Sequence, residues 1–280
     1  MADNPIDLDS LTDILKRAGA EKVMPYFRNL GDDNIREKSS AIDLVTDADV
    51  ETEDFIRQEI ENLSSKALFV GEESVAKDAS TLDKIADADV AVIVDPIDGT
   101  ANFAAGLPLF AIMAAVTMKG EVVCSAIHDP VNGDTIRAEK GAGASWLFKS
   151  GEERKAKVAW PVALDEAIGI VSATYFEPRD RTRLFHSLDQ VKVVANYRNA
   201  GHEYRMLATG GSHFNLYSKI MPWDHAPGTL IVSEAGGHVA FSDGEPYKAS
   251  RRDGILVSAC SEQTFKSVTS KLLGIERPAA

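Results

Sequence analysis

The sequence predicts a mixed fold, α+β in its first half and α/β in its second, and three observations predict it. Helical apolar spacing opens the chain, strands then follow one another across hairpin-type links, and beyond about residue 150 strands and helical segments alternate. With 280 residues and 44% hydrophobic content the chain can bury one large core or two modest ones that share it. Two parts are expected, 1–150 and 151–280.

Residues 8–29 carry Leu11, Ile14, Leu15 and Ala18 at helical spacing, and Pro25 should kink or shorten the end of that helix. In KSSAIDLVTDADVETEDFIRQEIENL (38–63) the first half reads as loop or short extended chain. Thr46 or Asp47 then caps a helix that presents Phe55, Ile56, Ile60 and Leu63 on one side. The acids in its first turns suit a helix N-terminus. Strands are expected at ALFVGEE (67–73), DVAVIVDPID (89–98), FAIMAAVTM (110–118), EVVCSAIHDP (121–130) and DTIRAEK (134–140). MKGE and DPVNGD serve as turns, so much of this sheet should be antiparallel. The glycines of GAGA (141–144) and the charged SGEERKAK (150–157) mark the change of pattern. After them AIGIVSA, VKVVA, HVAF and GILVSA read as strands, and RDRTRLFHSLD, PGTLIVSEAGG and SEQTFKSVTSKLLG as helices.

Composition limits the function. The formal charge is −13, from 43 acids and 30 bases, with no basic run to override it, so direct binding to nucleic acid or to an anionic membrane is disfavoured. Divalent cations, which take carboxylate oxygens, are compatible with that surface. Cys124 and Cys260 sit in apolar segments and support neither a disulfide framework nor a zinc site. No apolar run is long enough to span a membrane, and the acidic MADNPIDLDS lacks the regions of a signal peptide, so a cytoplasmic location is expected.

The informative acids lie at strand ends, because a carboxylate beside a buried strand needs a compensating cation. Three places fit: Glu72 and Glu73 after ALFV, Asp95 after AVIV, and Asp224 between Trp223 and the start of a helix. In DPIDGT (95–100) Pro96 stiffens the turn and withholds a donor, Asp95 and Asp98 offer oxygens, and the Ile97 carbonyl can be exposed between them. Gly99 permits close backbone approach, and Thr100 adds a hydroxyl and an amide where a phosphate could sit. An Asx-type turn before a capped helix explains one aspartate and the glycine but leaves the second aspartate without a role. The haloacid-dehalogenase pattern has one residue between its aspartates where this loop has two, and no Walker loop, GxGxxG or HExxH occurs.

Together KSSAIDLVTDAD (38–49), GEES (71–74), DPIDGTANFAAGLPLFA (95–111) and PWDHAPGTLIVSEAGGHV (222–239) resemble the inositol monophosphatase family. The resemblance covers most of the chain, with the motifs in the family's order. It implies a layered αβαβα sandwich and a lithium-sensitive hydrolase that uses two or three Mg²⁺ ions to cleave a small phosphate monoester, as a homodimer. It implies a metal set of Glu72, Asp95, the Ile97 carbonyl, Asp98 and Asp224, with Asp95 bridging two ions. Asp47, Thr100 and Glu72 would be catalytic, Asp47 pairing with Thr100 to activate water, and the Gly99 and Thr100 amides would hold phosphate, with Asp98 and Asp224 also facing the substrate. Tyr217 stands where inositol-cleaving members commonly carry a glutamate, and RNAGHEY (198–204) replaces a small-residue segment, so Tyr217, Arg198, His202 and Glu203 are expected at the leaving-group pocket, a helix cap with a surface ion pair being the other reading of RNAGHEY. His225, beside Asp224, reads as a support of the metal site or as a helix-cap residue. A sugar phosphate, fructose bisphosphate, histidinol phosphate or 3′-phosphonucleotide would suit the same core. A regulatory protein-interaction role is the alternative from another class.

Overall fold

The computed structural model describes residues 4–31, 35–40 and 43–275, so Ala41 and Ile42 of the KSSAIDLVTDAD segment lie outside the described residues. The two larger sheets and three helical layers stack as αβαβα. Helix α1 (Leu8–Ala18) starts where the Asp7 carboxylate accepts from the Ser10 amide at 2.7 Å, and it buries Leu11, Ile14, Leu15 and Ala18. It ends well before Asn29, passing at Gly19–Val23 into one wider π-helical turn ahead of Pro25. The strands β1 (Ile35–Ser40) and β2 (Asp43–Thr46) form an antiparallel hairpin leading into α2 (Asp47–Leu63). Ile56 and Ile60 of α2 face the core as expected, whereas Leu63, in its last turn, is exposed.

The first sheet is ordered β3 (Leu68–Gly71), β4 (Ala91–Asp98), β5 (Ala111–Met118), β6 (Glu121–Asp129), β7 (Asp134–Glu139), β8 (Gly143–Leu147) and β9 (Glu153–Lys155). Only the β3–β4 pair is parallel. The glycine-rich GAGA spans the turn between β7 and β8 and the first two residues of β8, and Glu234 accepts from its Gly141 and Gly143 amides at 2.8 and 2.9 Å. Helices α1 and α2 cover one face of this sheet.

The second sheet is mixed, in the order β11 (Val193–Ala195), β10 (Ile168–Val171), β12 (Phe214–Tyr217), β14 (Leu256–Ala259) and β13 (His238–Phe241). Between the sheets lie α6 (Ala200–Ala208) and α7 (Pro222–Glu234), while α5 (Pro178–Ser187) and α8 (Glu262–Ser267) cover the far side. Ala111, Met113 and Ile127 of the first sheet pack into one cluster with Tyr204 and Leu207 of α6, Leu230 of α7 and Phe241 and Leu256 of the second. The two halves thus share a core. No described helix is long and apolar enough to cross a membrane.

The middle of helix α7 is buried because it runs between the two large sheets, with Ala226, Pro227, Thr229, Ile231 and Val232 all buried. Its Gly228 lies against the Tyr204 ring of α6, where an added Cβ would collide with the ring atoms. The G228A variant is therefore expected to lose about 3 kcal/mol of stability by overpacking this crossing; a urea midpoint equal to that of the wild type would contradict it.

Candidate active site

The last turn of strand β4 is irregular for an identifiable reason. Asp95 pairs with Met113 and Asp98 with Ala111, so β4 spends one more residue than β5 over the interval. Residues three apart on a regular strand point to opposite faces; the extra residue of a bulge returns the second to the face of the first. Pro96, with no amide to leave unpaired, falls inside the bulge. Both carboxylates consequently point to one side, and both are buried.

Helix α7 brings the third acid. Pro222 stands at its first position and Asp224 in its first turn, half-buried, so Asp224 lies within the helix. Ligand oxygens of Asp95, Asp98 and Asp224 all fall within 4.8 Å of one another. Burial and the charge of Asp224 hold the Asp98 carboxyl well above the usual carboxylate range, against the lowering effect of the Gly201 and Ala200 amides. Close oxygens of this hardness, crowded by like charge, fit a divalent cation such as Mg²⁺.

Glu72 opens the short helix α3 (Glu72–Lys77), where the sequence suggested that it and Glu73 would close a strand. It comes one residue beyond the last β3–β4 pair, Gly71 with Val94, and lines the same cavity as the three aspartates. The Ile97 carbonyl accepts from Thr100 Oγ1 at 2.9 Å. Gly99 has φ +89°, and a Cβ there would come within 2.7 Å of Asn199 Nδ2, so both conformation and space require glycine.

Asn199 caps α6, accepting from the His202 amide at 2.7 Å, and its Nδ2 donates to the Asp98 carbonyl. The next two amides of α6, Ala200 and Gly201, donate to the two Asp98 oxygens at 3.2 and 2.5 Å. A helix N-terminus thereby supports a buried anion. None of these residues was singled out for this role in the sequence, because the contact joins positions about a hundred residues apart.

The partner of Thr100 is a correction. Thr100 Oγ1 lies 3.1 Å from Asp49 Oδ1, not against Asp47, whose carboxylate accepts from Arg36 at the surface. Asp47 is the first residue of α2; Asp49, the third, turns back over the helix start and accepts from the Thr46 amide and hydroxyl at 2.7 and 2.6 Å. This is capping-box geometry, and the spacing Thr46-x-x-Asp49 was the signal that could have found it. Burial pushes the Asp49 carboxyl up to about 7, helped by the charges of Glu72 and Glu73 and opposed by the two Thr46 bonds.

The cavity, about 550 Å³, continues from the acids between Val171–Tyr175 and Ala195–Ala200. Tyr217 lines it, buried, with its hydroxyl donating to Glu203 Oε2 at 2.8 Å. Glu203 also lines the cavity and accepts from the Tyr197 amide at 2.9 Å; burial pushes it up to about 7. His202 does not line it: its ring sits against the Phe110 carbonyl at 3.1 Å and near Asp129, turned away from the pocket. His225 bridges Tyr204 Oη at 3.1 Å and the Lys219 carbonyl at 2.8 Å, so it braces α7 rather than capping it. Burial lowers its pKa to about 4, leaving a neutral ring whose Nε2 donates and whose Nδ1 accepts.

The end of β4 and the start of α7 thus gather three acids at one cavity of a layered αβαβα chain. The sequence model of the inositol monophosphatase family matches residues 7–273, and the chain belongs to that family. The fructose-1,6-bisphosphatase/inositol-1-monophosphatase of Thermotoga maritima is 32% identical over 273 residues, covering 95% of this chain and 96% of the relative. The Nus factor SuhB of Xylella fastidiosa is 32% identical over 154 residues, 52% of this chain and 53% of its own. Among solved structures, the extragenic suppressor protein suhB of Bartonella henselae superposes with a TM-score of 0.79 at 25% identity, over 94% of this chain and 97% of that one.

The N199A variant removes the α6 cap and the donor to the Asp98 carbonyl together. A loss of about 1–2 kcal/mol in unfolding free energy is expected, and an unchanged urea midpoint would count against the support described for Asp98.

Proposed function

We propose that this chain is a Mg²⁺-dependent phosphomonoesterase acting on a small phosphate monoester. The single observation that carries the reading is the set of Asp95, Asp98 and Asp224 oxygens within 4.8 Å of one another on the wall of a substrate-sized cavity. Those three would hold metal, with Glu72 and the Ile97 carbonyl as further oxygens. Bound there, the cation supplies the positive charge that an acidic protein lacks, neutralising phosphate, making water more acidic and stabilising a leaving alkoxide.

The chain's own groups do the rest. The amides of Gly99 and Thr100, at the turn after the bulge, would seat phosphate oxygens. Thr100 Oγ1 stands between the Ile97 carbonyl and Asp49. With the one Thr100 hydroxyl proton turned from the Ile97 carbonyl to Asp49, the hydroxyl passes it to Asp49 Oδ1 as the attacking water gives a proton to Thr100 Oγ1, so the buried carboxylate ends protonated. Burial raises the Asp49 carboxyl above the ordinary carboxylate value, which makes it the stronger base. On the leaving-group side Glu203 supplies the buried carboxylate, held by Tyr217, and this pair rather than Tyr217 alone would select among substrates. Inositol, sugar, histidinol and nucleotide phosphates are the candidate classes, and the lithium sensitivity and homodimer implied by the family belong to the same reading. A second reading, a protein-interaction role in the cytoplasm, is favoured by the relatives that carry the name Nus factor SuhB.

Phosphate release from a panel of these monoesters, with and without Mg²⁺, tests the proposal. Turnover should require the metal. D49N should lower kcat by about 100-fold or more, as expected when a general base is lost. D47N, which removes an exposed ion pair, should stay within about twofold of the wild type. Absence of turnover on the whole panel, or equal losses in the two variants, would overturn it.

A further inference from the structure

Helix α2 carries a second buried acid whose position bears on the metal wall. Glu53 lies one turn beyond Asp49 on the same face, and both are buried, while Glu51 and Asp54 of the same helix are exposed. Burying a carboxylate is costly, so its partners indicate what holds it there. Glu53 Oε2 accepts from the Glu73 amide at 2.7 Å, at the start of α3. Glu53 Oε1 accepts from Arg57 at 2.8 Å, and the Arg57 guanidinium lies 4.8 Å over the Phe69 ring of β3. Gly71 packs so closely on the Glu53 carboxylate that an added Cβ would collide with it. The turn from β3 into α3 therefore rests on this one side chain from both sides.

We propose that Glu53 is a positioning residue that aims Glu72 at the metal wall, a role that rests on the metal-dependent reading of the site. The helix α2 then works as a spacer. Its Asp49 fixes the β4–α4 turn through Thr100, α4 being Thr100–Ala104, and one turn later its Glu53 fixes the β3–α3 turn through the Glu73 amide. Two segments from separate strand ends, one bearing Thr100 and one bearing Glu72, are thereby held at a distance set by a single helix. Glu53 itself does not line the cavity, so it acts through Glu72 and not on substrate.

Reach, not charge, is what this role needs, and two conservative variants separate them. E53Q keeps the length and an oxygen for the Glu73 amide but loses the charge; E53D keeps the charge but is one methylene short. Mg²⁺ affinity is measured by calorimetry on each folded protein, alongside kcat at saturating Mg²⁺. E53D is expected to weaken Mg²⁺ binding about tenfold with kcat little changed, and E53Q to stay within about threefold of the wild type, the scale of losses seen when supports of metal ligands are altered. Wild-type affinity in E53D, or weaker binding in E53Q than in E53D, overturns the assignment even if the wild type hydrolyses phosphate. If the wild type binds Mg²⁺ but turns over no monoester, the order of affinities still upholds Glu53 while the phosphatase reading falls.

Discussion

One extra residue in strand β4 organises this protein's acidic centre. Without the bulge at Asp95–Asp98, those two carboxylates would point to opposite faces of the first sheet and could not act on one ligand. With it, two buried like charges share a face and meet a third from α7. That arrangement is unfavourable alone. The surrounding structure offsets part of it with the N-terminal amides of α6, which donate to both oxygens of Asp98, and the proposed divalent cation would offset the rest.

The same constraint explains why the halves cannot be read separately. The bulge belongs to the first sheet, but the amides that support it come from α6 and the third acid from α7, both sandwiched between the sheets. Their mutual placement depends on the glycine-to-ring contact between Gly228 and Tyr204, and on His225 tying α7 to the Lys219 carbonyl. The core between the layers is thus what sets the distances among the acids.

Much of this was legible in the sequence because it is local. Strand ends at Asp95, hairpin turns along the first sheet and the alternating second half all follow from short-range pattern and turn chemistry. Glu72, Asp95 and Asp224 were visible as charges placed where apolar runs stop. What was not legible depends on pairing at long range. The bulge is a statement about register against β5, and no feature of DPIDGT states it. Asn199 was invisible because its second partner lies in β4. The exchange of Asp47 for Asp49 has a different origin: both acids sit in the first turn of α2, and only the direction in which a third-position side chain folds back over the helix start separates them. His202 fell on the wrong side for a similar reason, since one step around α6 divides residues facing the cavity from those facing Asp129. Nothing in the sequence separates Glu53 from its exposed neighbours Glu51 and Asp54 on the same acidic helix.

The claim on which the account depends is that the bulged strand end and α7 build one cation site. Diffraction from crystals soaked in Mn²⁺, recorded at the manganese edge, addresses it directly. The account predicts an anomalous peak within about 2.0–2.3 Å of oxygens from Asp95, Asp98 and Asp224. Saturating Mn²⁺ with no peak among those three carboxylates, or with peaks only on the outer surface, would contradict it.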